Sequence, residues 1–228
     1  MPIKTFCATL LSLLMATSIA SAKQAVEIPI NVGIGPAAFM FTGALADEQP
    51  LHYGVHIDVA AIIDKATIKK HQNKIPKKYR KIVSKLGEAR IGYMLIPDSL
   101  IISPKTQNTA IYGATWRPLS ANLPIGLGPM ELKFGAGILL TYAYIGQDVP
   151  EAESVTTHFL RPGLDLKANL DVPFSDSLIL SLGWSSGFYV PQELGGGMAD
   201  LGEGDQSLWH VGQAYAVFNY RFPFKTKI

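Results

Sequence analysis

Most of this sequence keeps a two-residue rhythm. Within residues 26–41 the apolar Val26, Ile28, Ile30, Val32, Ile34, Ala38 and Met40 fall on even positions, and Glu27, Asn31, Gly33 and Gly35 fall between them. Such alternation belongs to a β-strand, whose successive side chains leave opposite faces of the sheet. The rhythm recurs over residues 51–63, 110–118, 130–144, 158–172 and 178–190. It is cleanest in 130–144, where Met130, Leu132, Phe134, Ala136, Ile138, Leu140, Tyr142 and Tyr144 oppose Glu131, Lys133, Gly135, Gly137 and Thr141. Residues 208–224 supply a closing strand. Residues 90–103 supply an eighth, interrupted by Pro97, which cannot donate to a ladder and marks an edge or a bulge.

Long two-faced strands joined by short connections predict a closed antiparallel sheet, and the choice is between a soluble and a transmembrane barrel. No uncharged apolar run past residue 22 approaches the roughly 20 residues of a spanning helix. Yet a mean hydropathy of +0.19 with 17% charged residues is apolar for an exported soluble chain. A barrel in lipid accounts for both facts, because its apolar residues are dispersed at every second position. The polar face carries Gly33, Gly35, Gly54, Gly113, Gly135, Gly137, Gly163, Gly183, Gly187 and Gly212, which suits a crowded lumen better than a solvated exterior. Tyr53, Tyr112, Tyr142, Tyr144, Phe188 and Trp209 fall toward one end of the apolar face, as an interfacial girdle would. The expected fold is all-β: an antiparallel eight-stranded up-and-down transmembrane β-barrel. Its connections at 44–50, 104–108, 146–157 and 191–207 should lie outside, and compact turns at 122–129 and 173–177 on the periplasmic side.

In the closing strand, His210, Gly212, Tyr215 and Val217 are followed by Phe218, Tyr220, Phe222 and Phe224. On this pattern the chain resembles small bacterial outer-membrane barrels of the OmpA/OmpX type, whose last strand carries such a signal, although here Lys225–Ile228 trails behind the last aromatic. The resemblance implies recognition of the C-terminal strand by the barrel assembly machinery and residence in the bacterial outer membrane among lipid and lipopolysaccharide. The role expected is structural, adhesive or loop-mediated, through segments such as the Gly-rich 194–204, without an open pore. A monomer is expected. Two alternatives stand beside it: an outer-membrane enzyme modifying lipid, and a soluble exported lipid-binding barrel.

The first 22 residues have the layout of a signal peptide, with Lys4, an apolar run from Phe6 to Met15 and the small Ala20, Ser21 and Ala22. The mature chain then begins at Lys23 as one barrel domain, 23–228. Cys7 is the sole cysteine and lies in the leader, so the mature chain has no disulfide and no cysteine metal site. Residues 64–89 break the alternation with Lys65, Lys69, Lys70, Lys74, Lys77, Lys78, Arg80, Lys81 and Lys85. Pro76 at a first turn, Gly87 as a stop and apolar residues at 75, 79, 82, 83 and 86 predict a short basic amphipathic helix facing the periplasm. It either plugs the lower mouth of the barrel or meets anionic headgroups or an acidic partner. The exported address excludes nucleic acid.

Candidate chemistry is sparse. His52, His56 and Asp58 share the polar face of one strand, and His210 starts the closing strand near the same rim. A His–Asp pair suggests a general base and its orienter. Positions i and i+4 on a strand are roughly 13 Å apart, too far for two ligands of one metal. No metal or other cofactor is therefore expected. The remaining polar-face charges, Glu27, Arg117, Glu131, Lys133, Arg161, Asp165, Lys167 and Asp171, are expected to pair with one another and with Asp58 as a plug, since eight strands leave a lumen that side chains fill.

Overall fold

The computed structural model describes residues 25–42, 51–70, 72–74, 76–83, 85, 87–106, 109–148, 154–193 and 207–227. The expected leader, the 44–50 connection and the Gly-rich 194–204 lie outside these residues. Among the described residues nine strands form one antiparallel sheet: β1 (Ala25–Phe41), β2 (His52–Asp64), β3 (Glu88–Gly92), β4 (Ser99–Thr106), β5 (Thr109–Leu127), β6 (Met130–Gln147), β7 (Val155–Pro173), β8 (Leu178–Glu193) and β9 (Ser207–Lys227). Each strand pairs with the next in the ring, and β1 pairs with both β2 and β9. Because β3 and β4 both bridge β2 to β5, they share one position, and the barrel has eight.

The split of that position is where Pro97 predicted an interruption. Glu88 and Arg90 point into the barrel on even positions, whereas Ser99, Ile101 and Ser103 do so on odd ones. An inserted segment must absorb the change of parity, and residues 93–98 do so by bulging out of the wall. Its backbone is tied back by the Tyr93 amide to the Val59 carbonyl (3.0 Å), the Asp98 amide to the Thr115 carbonyl (2.7 Å) and the Ile57 amide to the Asp98 carbonyl (2.7 Å). Beside it, β5 has its own bulge: Trp116 pairs with Leu140 and Leu119 with Ile138, so Arg117 and Pro118 oppose a single residue. Proline is tolerated there because a bulge frees its position from donating.

Burial follows the alternation in most of the wall. On β6, Phe134 and Ile138 are exposed while Lys133, Leu139 and Thr141 are buried, so the apolar face is the exterior. Ile34 (63% exposed) and Leu164 (64%) behave likewise on β1 and β7. A barrel that carries lipid inside is thereby ruled out for the described residues. Exposed aromatics form two belts: Tyr53, Tyr112, Phe188 and Trp209 at the loop end, and Phe174, Phe218, Tyr220 and Phe224 at the other. This is the exterior of a transmembrane barrel.

Two expectations need correction. Residues 122–129 are not a turn segment: β5 continues to Leu127, and the hairpin is only Gly128–Pro129. Gly128 has φ +67°, and the Pro129 ring fixes the following φ as negative, the signs of a type II′ turn. In β9 the register runs one residue from the one expected. Tyr215 and Val217 face the lumen with Gln213 and Asn219, whereas a Cβ at Gly212 would meet the outward Trp184 ring at 2.9 Å. Aromatic and aliphatic residues occupy both faces of this strand, so polarity left its parity open, and a slip of one flips every side chain.

Asp64 ends β2 and Glu88 and Ala89 begin β3, and between them the basic insertion is helical in pieces. α1 (Lys65–Lys70) is followed by a single 3₁₀ turn (Gln72–Lys74) and α2 (Lys77–Val83). Asp64 caps α1 through the Thr67 amide at 2.6 Å, and Pro76 directly precedes α2. The insertion sits at the end where Gly128–Pro129 and residues 174–177 turn the chain and where β1 begins and β9 ends.

Closure makes a testable demand at Gly35. There β1 approaches β9 so closely that a Cβ would overlap the Ala216 carbonyl oxygen, whereas nothing lies within 4 Å of one at Gly126. Gly35→Leu should therefore destabilise the closed barrel by about 3 kcal/mol, as overpacking does at its upper range, and Gly126→Ala should be neutral. The folded fraction of refolded protein, read from heat-modifiable gel mobility, checks both; equal yields would contradict the β1–β9 register.

Candidate functional site

Inward-facing side chains fill the lumen in three strata. At the loop end the filling is apolar: Phe39 and Phe41 from β1, Ile101 from β4, Ile111 from β5, Leu139, Ala143 and Ile145 from β6, Phe159 and Tyr189 from β7 and β8, and Leu208 and Val211 from β9 pack as one buried cluster. Alternation did not reveal it, because these residues lie on the face otherwise given to small and polar groups.

The middle stratum is organised by Arg117, which the β5 bulge aims across the barrel. Its Nε donates to Asp165 Oδ2 at 3.1 Å, Nη2 to Ser185 Oγ at 2.7 Å and to Gln213 Oε1 at 2.8 Å, and Nη1 to Ser99 Oγ at 3.4 Å. Asp98, turned inward by the 93–98 bulge, lies 3.9 Å from Arg117 and 3.2 Å from Arg90. Arg90 in turn donates twice to Asp58, at 2.8 and 3.2 Å. In the lowest stratum Lys133 Nζ meets Glu88 at 2.7 Å, Glu131 at 3.1 Å and Asp171 at 3.2 Å. Lys167 Nζ donates to Ser120 Oγ at 2.8 Å. A plug of paired charges is thus what the strands enclose. Asp98, Glu88 and Arg90 belong to it although the alternation had not singled them out, since Pro97 obscured the parity of residues 90–103 and Glu88 fell within the expected helical insertion.

Arg161 does not belong to it. It is exposed, although it pairs with the inward Thr141 of β6. The side chain of Glu27 lies outside the described residues.

The four candidate residues are not brought together. His52 is fully buried in the apolar stratum, with its Nδ1 3.0 Å from Ser103 Oγ and its ring edge-on to Phe41. That spacing is the one a nucleophile and its base require, but Ser103 is itself 1% exposed. His56 stacks on Tyr215, with ring centroids 4.1 Å apart, and its Nδ1 faces Gln213 Nε2 at 3.1 Å. Asp58 is held by Arg90 rather than by His56. His210 stands on the outer side, its ring against Phe188 and Trp209. Among the described residues no group of three His, Cys, Asp or Glu is placed to hold a metal.

The space left in the polar lumen is small. Its cavity, lined by His56, Asp58, Arg90, Arg117, Lys133 and Lys167 among others, has a water-accessible volume of about 40 Å³. That admits about three waters and no organic substrate.

Closure, an apolar exterior and a filled lumen define a small antiparallel transmembrane β-barrel. No family model matches the sequence, and no curated protein matches it. Among solved structures the chain is similar to Neisserial surface protein A, at 12% identity over 88% of this chain and 100% of that one with a TM-score of 0.44. It is also similar to Ail, the attachment invasion locus protein of Yersinia pestis, at 10% identity over 86% and 99% with a TM-score of 0.43. A major outer membrane protein from Thermus thermophilus shows 14% identity over 87% and 100% with a TM-score of 0.49. The fold assignment itself rests on the ring of strand pairings.

Arg117 and Arg161 separate a buried role from a wet one. Arg117→Met leaves Asp165, 1% exposed, without its cation, and should lower stability by about 3–5 kcal/mol. Arg161→Met should stay within about 0.5 kcal/mol, as exposed sites do. Urea unfolding midpoints of the detergent-refolded barrel check the pair; an unshifted midpoint for Arg117→Met would mean that water reaches the network.

Proposed function

We propose that the protein is an integral β-barrel of the bacterial outer membrane with a structural role or one exerted through its outer loops, adhesion included, and that it forms no open pore. The observation that carries this reading is the opposition of the two faces of the wall. The exterior is apolar between two aromatic belts, and the interior is packed by an apolar stratum above a paired ionic one. The exterior fits hydrocarbon flanked by headgroups. An interior so filled leaves no path for solutes, and the burial of His52 and Ser103 works against the enzymatic alternative.

Orientation follows from the connections. The start of β1, the end of β9 and the turns after β5 and β7 share one end, which in single-chain outer-membrane barrels is the periplasmic one. The connections after β1, β6 and β8 then face outward, among lipopolysaccharide. The outward Phe218, Tyr220 and Phe224 of β9 provide the aromatic row that the assembly machinery would recognise. Lipid accounts for the apolar area on the wall, consistent with a monomer.

Expression in a Gram-negative host tests the reading. The protein is expected in the outer-membrane fraction with heat-modifiable mobility, and planar bilayers containing it should show no steady channel conductance. Recovery in the soluble periplasm would defeat the membrane assignment; a stable open conductance would defeat the closed lumen alone.

A further inference from the structure

We propose that the ionic part of the lumen exchanges water and small ions with the periplasmic end alone, through a gate made by the hydrogen bond between Arg221 and Asn31. The proposal rests on the orientation given above and adds a path of access to it. Toward the loop end the ionic network is sealed by the apolar stratum, in which Phe39, Ile145, Phe159 and Leu208 are at most 1% exposed. Toward the other end it meets a floor of polar side chains. Beneath that floor lies an open cleft of about 460 Å³, bordered by Pro29, Arg221 and Pro223 on one side and by Ala66, Thr67 and Lys70 of α1 on the other.

The strand register sets this bond between the two spaces. Pro29 pairs with Pro223, Asn31 with Arg221 and Gly33 with Asn219. Positions of this parity turn inward, as the buried Asn31, Val217 and Asn219 do. Pro29 and Pro223 line the cleft, whereas Asn31 and Asn219 line the lumen cavity, so the Arg221–Asn31 pair is the layer that divides them. Arg221 Nε donates to Asn31 Oδ1 at 2.9 Å, and among the described residues this is the only hydrogen bond of either side chain. The far side of the floor is held more firmly, since Lys133 Nζ meets the carboxylates of Glu88, Glu131 and Asp171 within 3.2 Å. A single hydrogen bond at the edge of an open cleft competes with water for its donor, and its net worth is correspondingly small. Asp176 borders the same cleft and offers the freed guanidinium an acceptor on the open side. Such an opening does not make a pore. What enters reaches a space for about three waters and stops at the apolar stratum.

Residues 23–228 contain no cysteine, so one thiol placed in the cavity reports access to it. Ser181 is buried and lines the cavity, and Ser175 is exposed on the β7–β8 turn. The folded Ser181→Cys barrel in detergent is treated with silver ion, a thiol-binding probe small enough to follow water, and adducts are counted by mass spectrometry against those of Ser175→Cys. The thiol of Ser181→Cys should react slowly. Adding Asn31→Ala or Arg221→Met should each speed it about tenfold, the gain in opening that loss of one charge-assisted hydrogen bond produces. Asn31→Ala leaves the charge in place and keeps the test decisive if Arg221→Met folds poorly. Ile145→Ala, which loosens the apolar stratum instead, should leave the rate unchanged. Reaction of Ser181→Cys as fast as Ser175→Cys would overturn the gate by showing a lumen already open, and equal acceleration by Ile145→Ala would show entry from the loop end. Acceleration in neither of the two gate variants, or in only one of them when both fold, would also overturn it, since a bond broken from either end opens alike. Heat-modifiable mobility is read on the same samples: its absence refutes the barrel reading, whereas a folded barrel with unchanged rates refutes only the gate.

Discussion

In hydrocarbon no water is available for a backbone amide or carbonyl, and each one left unpaired costs several kcal/mol. A sheet meets this demand only by closing on itself. Here the closure is made by β1, which pairs with β2 on one side and with β9 on the other, from Ala25↔Lys227 to Phe41↔Val211. The close approach of Gly35 to the Ala216 carbonyl shows how little room the seam allows. Even the wall's most irregular stretch respects the constraint, since the amides of Tyr93, Ile96 and Asp98 all find carbonyl partners.

Closure with eight positions leaves a bore that side chains can span, and the contents of the lumen follow from that width. Arg117 reaches from β5 to acceptors on β4, β7, β8 and β9, so one guanidinium ties together strands that are not neighbours in the ring. Burying ions is costly, and an apolar filling of equal volume often does as well for stability. The loop-end stratum is such a filling. The two bulges also link wall and lumen: that in β5 aims Arg117 and that at 93–98 turns Asp98 inward, so a defect in the ladder becomes a pair of contacts in the network.

The two ends of the barrel differ in kind. At the loop end the apolar stratum lies beneath the connections that follow β1, β4, β6 and β8. At the other end the hairpins are tight, and the one large connection is the cationic insertion that carries α1 and α2. Its lysines lie outside the hydrocarbon, where solvation and headgroup charge together decide their interactions.

The amino-acid sequence by itself determined the strands, their number and, for most of them, their faces. Alternation is a local property, and β1, β2, β6, β7 and β8 read correctly because their two faces differ in polarity residue by residue. It also marked Pro97 as an interruption and the lysine-rich 64–89 as something other than strand. Only the tertiary structure decided the rest, because a lumen accepts any side chain that finds a partner. Tyr215 is inward since His56 and Asn169 wait there for its ring and hydroxyl. Phe39, Ile111 and Phe159 are inward since they meet one another. Arg161, of the same parity as Asp165 and Phe159, is exposed and outside the network. The burial of His52 among apolar side chains, and the pairing of His56 with Gln213 and of Asp58 with Arg90, were likewise decided across the barrel, by residues that lie far from them in the chain.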